Sequence, residues 1–322
     1  MDSALVIAYQ AVIMFILLFF GYFLFKKDFL SEDSTKQLSA IAIKIINPIV
    51  IFNSYQTDFA PEMLTGLLIA AGLAVVSHVV LILFSMLAVR RTKSDFETER
   101  FAISYSNCAF MGIPLVQATF GNDGVFYLTG YITVFNLFMW THGVMTMQGG
   151  ERKSASDTAK TVLKVLISPA ILSIALGLVF FFTGLRLPGI LQTPLDYLGA
   201  LNTPLAMIVS GATIAKAGLL SAFRSPRVYY VQLFKLILVP AVLTVMFVPL
   251  TLLGVPKLII DTILIAAAAP TASATIMFAY NHNRNAEYAS NHFALSTIAS
   301  MLTMPLVLML SAALSGVISP AL

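Results

Sequence analysis

Asn107, Cys108, Gly112 and Pro114 fall in one apolar run, Ser106-Asn107-Cys108-Ala109-Phe110-Met111-Gly112-Ile113-Pro114. A second run carries Pro270, Thr271, Ser273 and Thr275. Amides, hydroxyls and helix breakers are binding groups, not bond-making ones. Proline lacks an amide proton and glycine loosens a helix, so each set predicts an interrupted helix with N–H groups in need of partners. Orphaned N–H groups at the positive end of a helix dipole favour an anion, so carboxylate recognition follows without an obligatory arginine.

Other polar residues interrupt apolar runs. Asn47 precedes Pro48, with Lys44 about one turn before it. A cation there either snorkels to water or guides a substrate anion. Asn136 shares a helix face with Trp140 and needs a partner, from a neighbouring helix or from a substrate. His142 is either a neutral hydrogen-bonding group between helices or a proton-coupling residue; His78 and His292 have weaker claims. The acids Asp58, Glu62, Asp95, Asp123, Asp196, Asp261 and Glu287 fall near helix ends or in loops, which argues against ion coupling through a buried carboxylate. No His-Glu-x-x-His, paired membrane aspartates or Gly-x-Ser-x-Gly elbow occurs, so an enzyme is not expected. No metal site or cofactor is expected either, and the single Cys108 rules out an internal disulfide.

The elements that must position these residues are membrane spans. Of 322 residues, 58% are hydrophobic and 11% charged, with a mean hydropathy of +0.89, far outside the range of a soluble domain. Apolar stretches of roughly 18–26 residues recur along the chain, each long enough to cross hydrocarbon as a helix. Breaks at charged and turn residues place helices at 4–25, 36–55, 63–89, 100–119, 124–148, 161–182, 190–216, 227–252, 257–280 and 288–315. The first reads as a span, not a signal peptide: Asp2 replaces a basic n-region and no cleavage site follows.

Basic residues alternate from loop to loop. Lys26, Lys27, Lys36, Arg90, Arg91, Lys93, Arg100, Arg152, Lys153, Lys160, Lys164, Lys216, Arg224, Arg227, Lys235 and Arg284 count to one side, Arg186 and Lys257 to the other. The rich side is then cytoplasmic and both termini lie outside, in a plasma membrane such as a bacterial inner membrane. Topology accounts for the basic pI of about 9.1 without nucleic acid.

The halves also echo each other. Asn47-Pro48 matches Asn202-Thr203-Pro204, and the interval between Pro48 and Pro204 equals that between Pro114 and Pro270. Tyr127 and Tyr288 lie nearly the same distance apart. Five spans per half would make the second half insert upside down, giving inverted repeats over 1–150 and 160–322. Matched interruptions then predict broken fourth and ninth helices crossing near the midplane.

The run Ser106 to Leu115 resembles the fourth-helix signature of the auxin efflux carrier family, which includes PIN-type plant auxin transporters and bacterial malate or malonate permeases. The resemblance continues through Gly121-Asn122-Asp123-Gly124, Asn136-Leu137-Phe138-Met139-Trp140-Thr141 and Pro270. It implies an all-α polytopic fold like that of bile acid sodium symporters, with scaffold helices 1, 2, 6 and 7 and transport helices 3–5 and 8–10. It implies a substrate site at the crossover, with Asn107 at the position of a substrate-binding Asn, and a homodimer. The family's ninth-helix motif has an amide after its first proline where this chain has Thr271. Aligning proline with proline pairs Pro114 with Pro270, whereas the family motifs pair Asn107 with Thr271.

These readings predict a secondary transporter, a permease or efflux carrier for small organic anions such as carboxylates, working by alternating access. The alternatives are an anion channel or a membrane receptor. The expected substrate contacts are Lys44, Asn47, Asn107, Cys108, Gly112, Pro114, Asn136, Pro270, Thr271 and Ser273, with His142 for protons. A coupling ion and the direction of transport are left open.

Overall fold

In hydrocarbon, each backbone N–H and C=O must be paired within its own segment, so a chain this apolar is driven to helix. The computed structural model describes residues 3–92, 94–149, 166–217 and 223–318, and every element among them is helical. Five helices are long and apolar enough to cross a membrane, and shorter apolar helices accompany them.

The order runs α1 (Ser3–Lys26), α2 (Glu32–Ile41), α3 (Asn47–Ser54), α4 (Pro61–Ala88), α5 (Phe96–Ser104), α6 (Ile113–Phe138), α7 (Val144–Met147) and α8 (Pro169–Thr183). It continues with α9 (Gly189–Ala200), α10 (Asn202–Ala217), α11 (Pro226–Leu233), α12 (Val239–Phe247), α13 (Lys257–Ala268), α14 (Ala274–Asn281) and α15 (Ala286–Ile318). Proline opens α4, α8 and α11, where its missing N–H is not needed. Ser31 caps α2 by accepting from the Ser34 amide at 3.1 Å. Gly184 ends α8 at φ +68°, a left-handed conformation that costs glycine little.

Several expected helix limits shift for local reasons. The fourth and fifth expected spans share α6, which turns sharply at Gly121, φ +66° and ψ −155°, a backbone region reserved for glycine. The expected interruption at Gly112–Pro114 is absent. Wide π turns at Ala42–Ile46, Cys108–Gly112 and Phe234–Leu238 are each followed, two residues on, by Pro48, Pro114 or Pro240. The extra residue in a π turn relieves the clash of the proline ring with the preceding turn, so these prolines continue the helix. The repeat boundary at 150–160, the start of the sixth span at 161, and Arg152, Lys153, Lys160 and Lys164 lie outside the described residues.

α1 lies along α10, and a Cβ on Gly21 or Gly211 would collide with the backbone of Ile208 or Leu18, so only glycine allows this approach. α3 packs on α8, while α4 and α13 pack on α6. Near one end of the bundle, Arg227 grips the buried Glu99 with Nε–Oε1 and Nη2–Oε2 distances of 2.8 and 2.6 Å. Arg284 pairs with Glu97 at 3.0 Å. Both acids begin α5, where a carboxylate also suits the helix dipole.

Candidate functional site

The chain leaves the helix after Ser104 and again after Ala268. The two extended stretches meet as an antiparallel bridge between Ser106 and Thr271. The Asn107 amide donates to the Pro270 carbonyl at 2.7 Å, and the Ala272 amide donates to the Tyr105 carbonyl at 2.9 Å. Such exchange is how a buried break avoids leaving its backbone unpaired. The side chains repeat the exchange. The Ser106 hydroxyl donates to the Ala267 carbonyl in the last turn of α13 at 2.9 Å. The Thr271 hydroxyl donates to the Ala102 carbonyl in the last turn of α5 at 3.2 Å. Each interruption therefore caps the other helix. The bridge pairs Ser106 with Thr271, one residue from the Asn107–Thr271 pairing and about two helical turns from the proline pairing.

The helix ends separate by charge. Carbonyl ends of α5 and α13 reach the bridge, and the segments that start at Cys108 and Ala274 leave it with their N–H ends. A cavity of about 160 Å³ lies against these N–H ends. Ser106, Asn107, Cys108, Ala109 and Phe110 line it from one break, and Ala272, Ser273 and Ala274 from the other. Ile43, Asn47 and Ile51, Asn136 with Ile132, Phe135 and Met139, and Ala170 complete the wall. Asn47 Oδ1 and Asn107 Nδ2 are buried without a hydrogen-bond partner. Unpaired buried amide atoms cost about 1–3 kcal/mol each, which a polar ligand in the cavity recovers. An engineered apolar cavity of ~150 Å³ holds benzene, so this volume suits a ligand of roughly six to ten heavy atoms.

On the carbonyl side sits Lys235, which charge counting along the chain assigns to a cytoplasmic loop. It lies instead in the π turn Phe234–Leu238, fully buried. Its ammonium bonds the Ser106 hydroxyl and the Ala267 carbonyl, the latter at 3.3 Å. Its sequence signal is depth: nine residues past Pro226 is about 13 Å along a helix, too far inside for a loop. Gln232, one turn before it, donates to the Thr271 hydroxyl at 3.3 Å and lies 3.0 Å from His292 Nδ1. A cation and an amide of one helix thus brace both strands of the bridge.

The structure gathers Asn47, Asn107, Cys108, Asn136 and Ser273 around the cavity. Asn136 spends its amide on the Ile132 carbonyl at 2.8 Å. Pro270 and Thr271 belong to the bridge behind the wall, while Gly112 and Pro114 lie buried one to two turns along the helix. Lys44 does not line the cavity; its side chain, in the π turn Ala42–Ile46, is exposed. His142 is also elsewhere. Its Nδ1 is 2.8 Å from the Tyr105 hydroxyl, and it lines a separate cavity of about 170 Å³ with Arg91 and Arg100. Among the described residues no cluster of His, Cys, Asp and Glu is arranged to hold a metal ion.

A family model described as "Membrane transport protein" matches residues 6–308. An uncharacterized transporter of Methanothermobacter thermautotrophicus is 23% identical over 304 residues, covering 90% of this chain and 94% of that protein. Both matches are to transporters, so the chain is a transporter and not an enzyme. With several apolar helices and a match over nearly its whole length, it is a multi-pass membrane protein that belongs to the membrane transport protein family, the auxin efflux carrier-like group.

Proposed function

We propose that this chain is a secondary carrier of small organic anions such as carboxylates, moving them across the plasma membrane by alternating access. One observation carries the reading: the N–H ends of two interrupted helices and the unpaired amides of Asn47 and Asn107 share one small cavity. Helix N-termini favour an anion, and an amide, which presents either atom after a flip, meets carboxylate oxygens or a hydroxyl.

The cavity wall also suits a moving site. Ile43, Asn47, Ile51 and Ala170 come from the helices around α3 and α8, and the remaining lining comes from the two broken segments and α6. We read these as scaffold helices 1, 2, 6 and 7 and transport helices 3–5 and 8–10, so that sliding one group past the other carries the substrate, as in an elevator. The ten spans form two inverted five-helix repeats in this reading. It gains support from Pro61 and Pro226, which open helical runs of 28 residues each and stand the same interval apart as Ser106 and Thr271. A homodimer, and an orientation with both termini outside, complete the proposal. Moving Lys235 from the loops to the core leaves the alternation of loop charge intact.

Purified protein in liposomes tests the function. Labelled malate, malonate or an aromatic acetate is expected to enter with saturation and to show counterflow against unlabelled anion. Flux that rises linearly with concentration and ignores anion on the far side would identify a channel and refute the carrier.

A further inference from the structure

Lys235 does not line the anion cavity, yet it is among the largest fully buried side chains in the protein. Burying an ammonium at membrane depth is costly without compensation, and none of the ion pairs among the described residues includes it. Its compensation is oxygen of another kind: the Ala267 carbonyl, at the C-terminal end of α13, and the Ser106 hydroxyl. A helix C-terminus carries partial negative charge and favours a cation. Unwound carbonyls and half-helix C-terminal ends are also the groups that coordinate sodium in carriers with broken helices. An ammonium is a compact point charge of similar demand.

We propose that the Lys235 ammonium is a built-in cation, filling at the carbonyl ends of the broken helices the seat that a monovalent metal ion would otherwise need. The inference rests on the carrier reading and deepens it. The bridge is held together by a side chain that cannot leave the protein, so it forms without sodium. Ser106 touches both Lys235 and the cavity, so the fixed positive charge stands directly behind the wall that receives the anion. The carrier is therefore sodium-independent, and the charge of a bound carboxylate is offset by a residue that travels with the site.

The decisive experiment compares thermal unfolding of the purified full-length protein in sodium chloride and in choline chloride at equal ionic strength. The wild type is expected to unfold at the same temperature in both. Lys235→Ala, which removes the ammonium and opens its space, is expected to be less stable in choline and to gain about 2–4 °C in saturating sodium. Lys235→Met, which keeps the volume but not the charge, should gain nothing. Sodium stabilisation of the wild type, or an Ala variant indifferent to the salt, overturns the proposal. If Lys235→Ala folds only when made and kept in sodium, that rescue supports it; failure in both salts while Lys235→Met folds overturns it.

Exchange of labelled malonate in liposomes supplies the second arm. Wild-type rates should match in sodium and choline, whereas Lys235→Ala should lose about tenfold or more in choline and recover in sodium. The thermal arm needs no substrate, so the two readings fail separately. Absence of exchange with every carboxylate would sink the carrier reading while the salt effect still decides the seat. Sodium-driven exchange by the wild type would sink the seat while the carrier stands.

Discussion

Replacing Thr271 by Val keeps the shape of the side chain and removes one hydroxyl. That hydroxyl donates to the Ala102 carbonyl at 3.2 Å and accepts from Gln232 Nε2 at 3.3 Å, and the residue is fully buried. Gln232 keeps its contact with His292, so its amide stays partnered. The Ala102 carbonyl, in the last turn of α5, loses the cap that satisfies it where the helix stops. Leaving such a group unsatisfied costs about 1–3 kcal/mol. A mid-range loss of about 2 kcal/mol lowers a melting temperature by roughly 3 °C for a chain of this length. Thr271→Ser retains the hydroxyl and should stay within about 2 °C of wild type. Differential scanning fluorimetry in one detergent makes the comparison. If Thr271→Val melts with Thr271→Ser, the reciprocal capping of the two breaks is not what holds the crossing together.

Asn107→Ala should weaken binding of a transported anion about tenfold by calorimetry without lowering the melting temperature, because the buried Nδ2 it removes has no protein partner to leave unpaired. A destabilised variant with unchanged affinity would reverse that assignment. Lys44→Gln and Lys44→Arg should transport equally in liposomes, since the side chain is exposed and does not line the cavity; a deficit confined to Lys44→Gln would put its charge back in the path. Gly211→Ala drives a Cβ into the Leu18 backbone and should cost several degrees of melting temperature, whereas Gly316→Ala, with open space around it, should not.

Much of the fold is legible because hydrocarbon permits so little: long apolar runs become helices, and Pro61 and Pro226 mark helix starts by their chemistry. The breaks were harder. Proline suggests an interruption, yet Pro114 sits inside a helix because a π turn precedes it, and such a turn has no sequence signature of its own. The true break at Tyr105–Asn107 carries no proline of its own, and its backbone is satisfied by residues from Pro270 to Ala272 that are distant in sequence. Asn47, Asn107 and Asn136 were readable as polar residues in apolar runs, and the fold brings them to one wall. Lys235 was not readable as a core residue from charge alone, because Arg227, only two turns earlier, reaches Glu99 at the bundle's end. Lys44 and His142 drew notice for the same reason, charge or titration within a span, but side-chain direction decides their place, and one-dimensional spacing does not give it.

Cys108 offers the most direct test of the central claim, because it lines the cavity and is the only cysteine in the sequence. In native protein reconstituted in liposomes, a small thiol reagent should modify it slowly, since it is fully buried. A transported carboxylate should slow modification further, with half-protection at the concentration that half-saturates transport. Modification at an unchanged rate under saturating transported anion would place the substrate elsewhere and contradict the account.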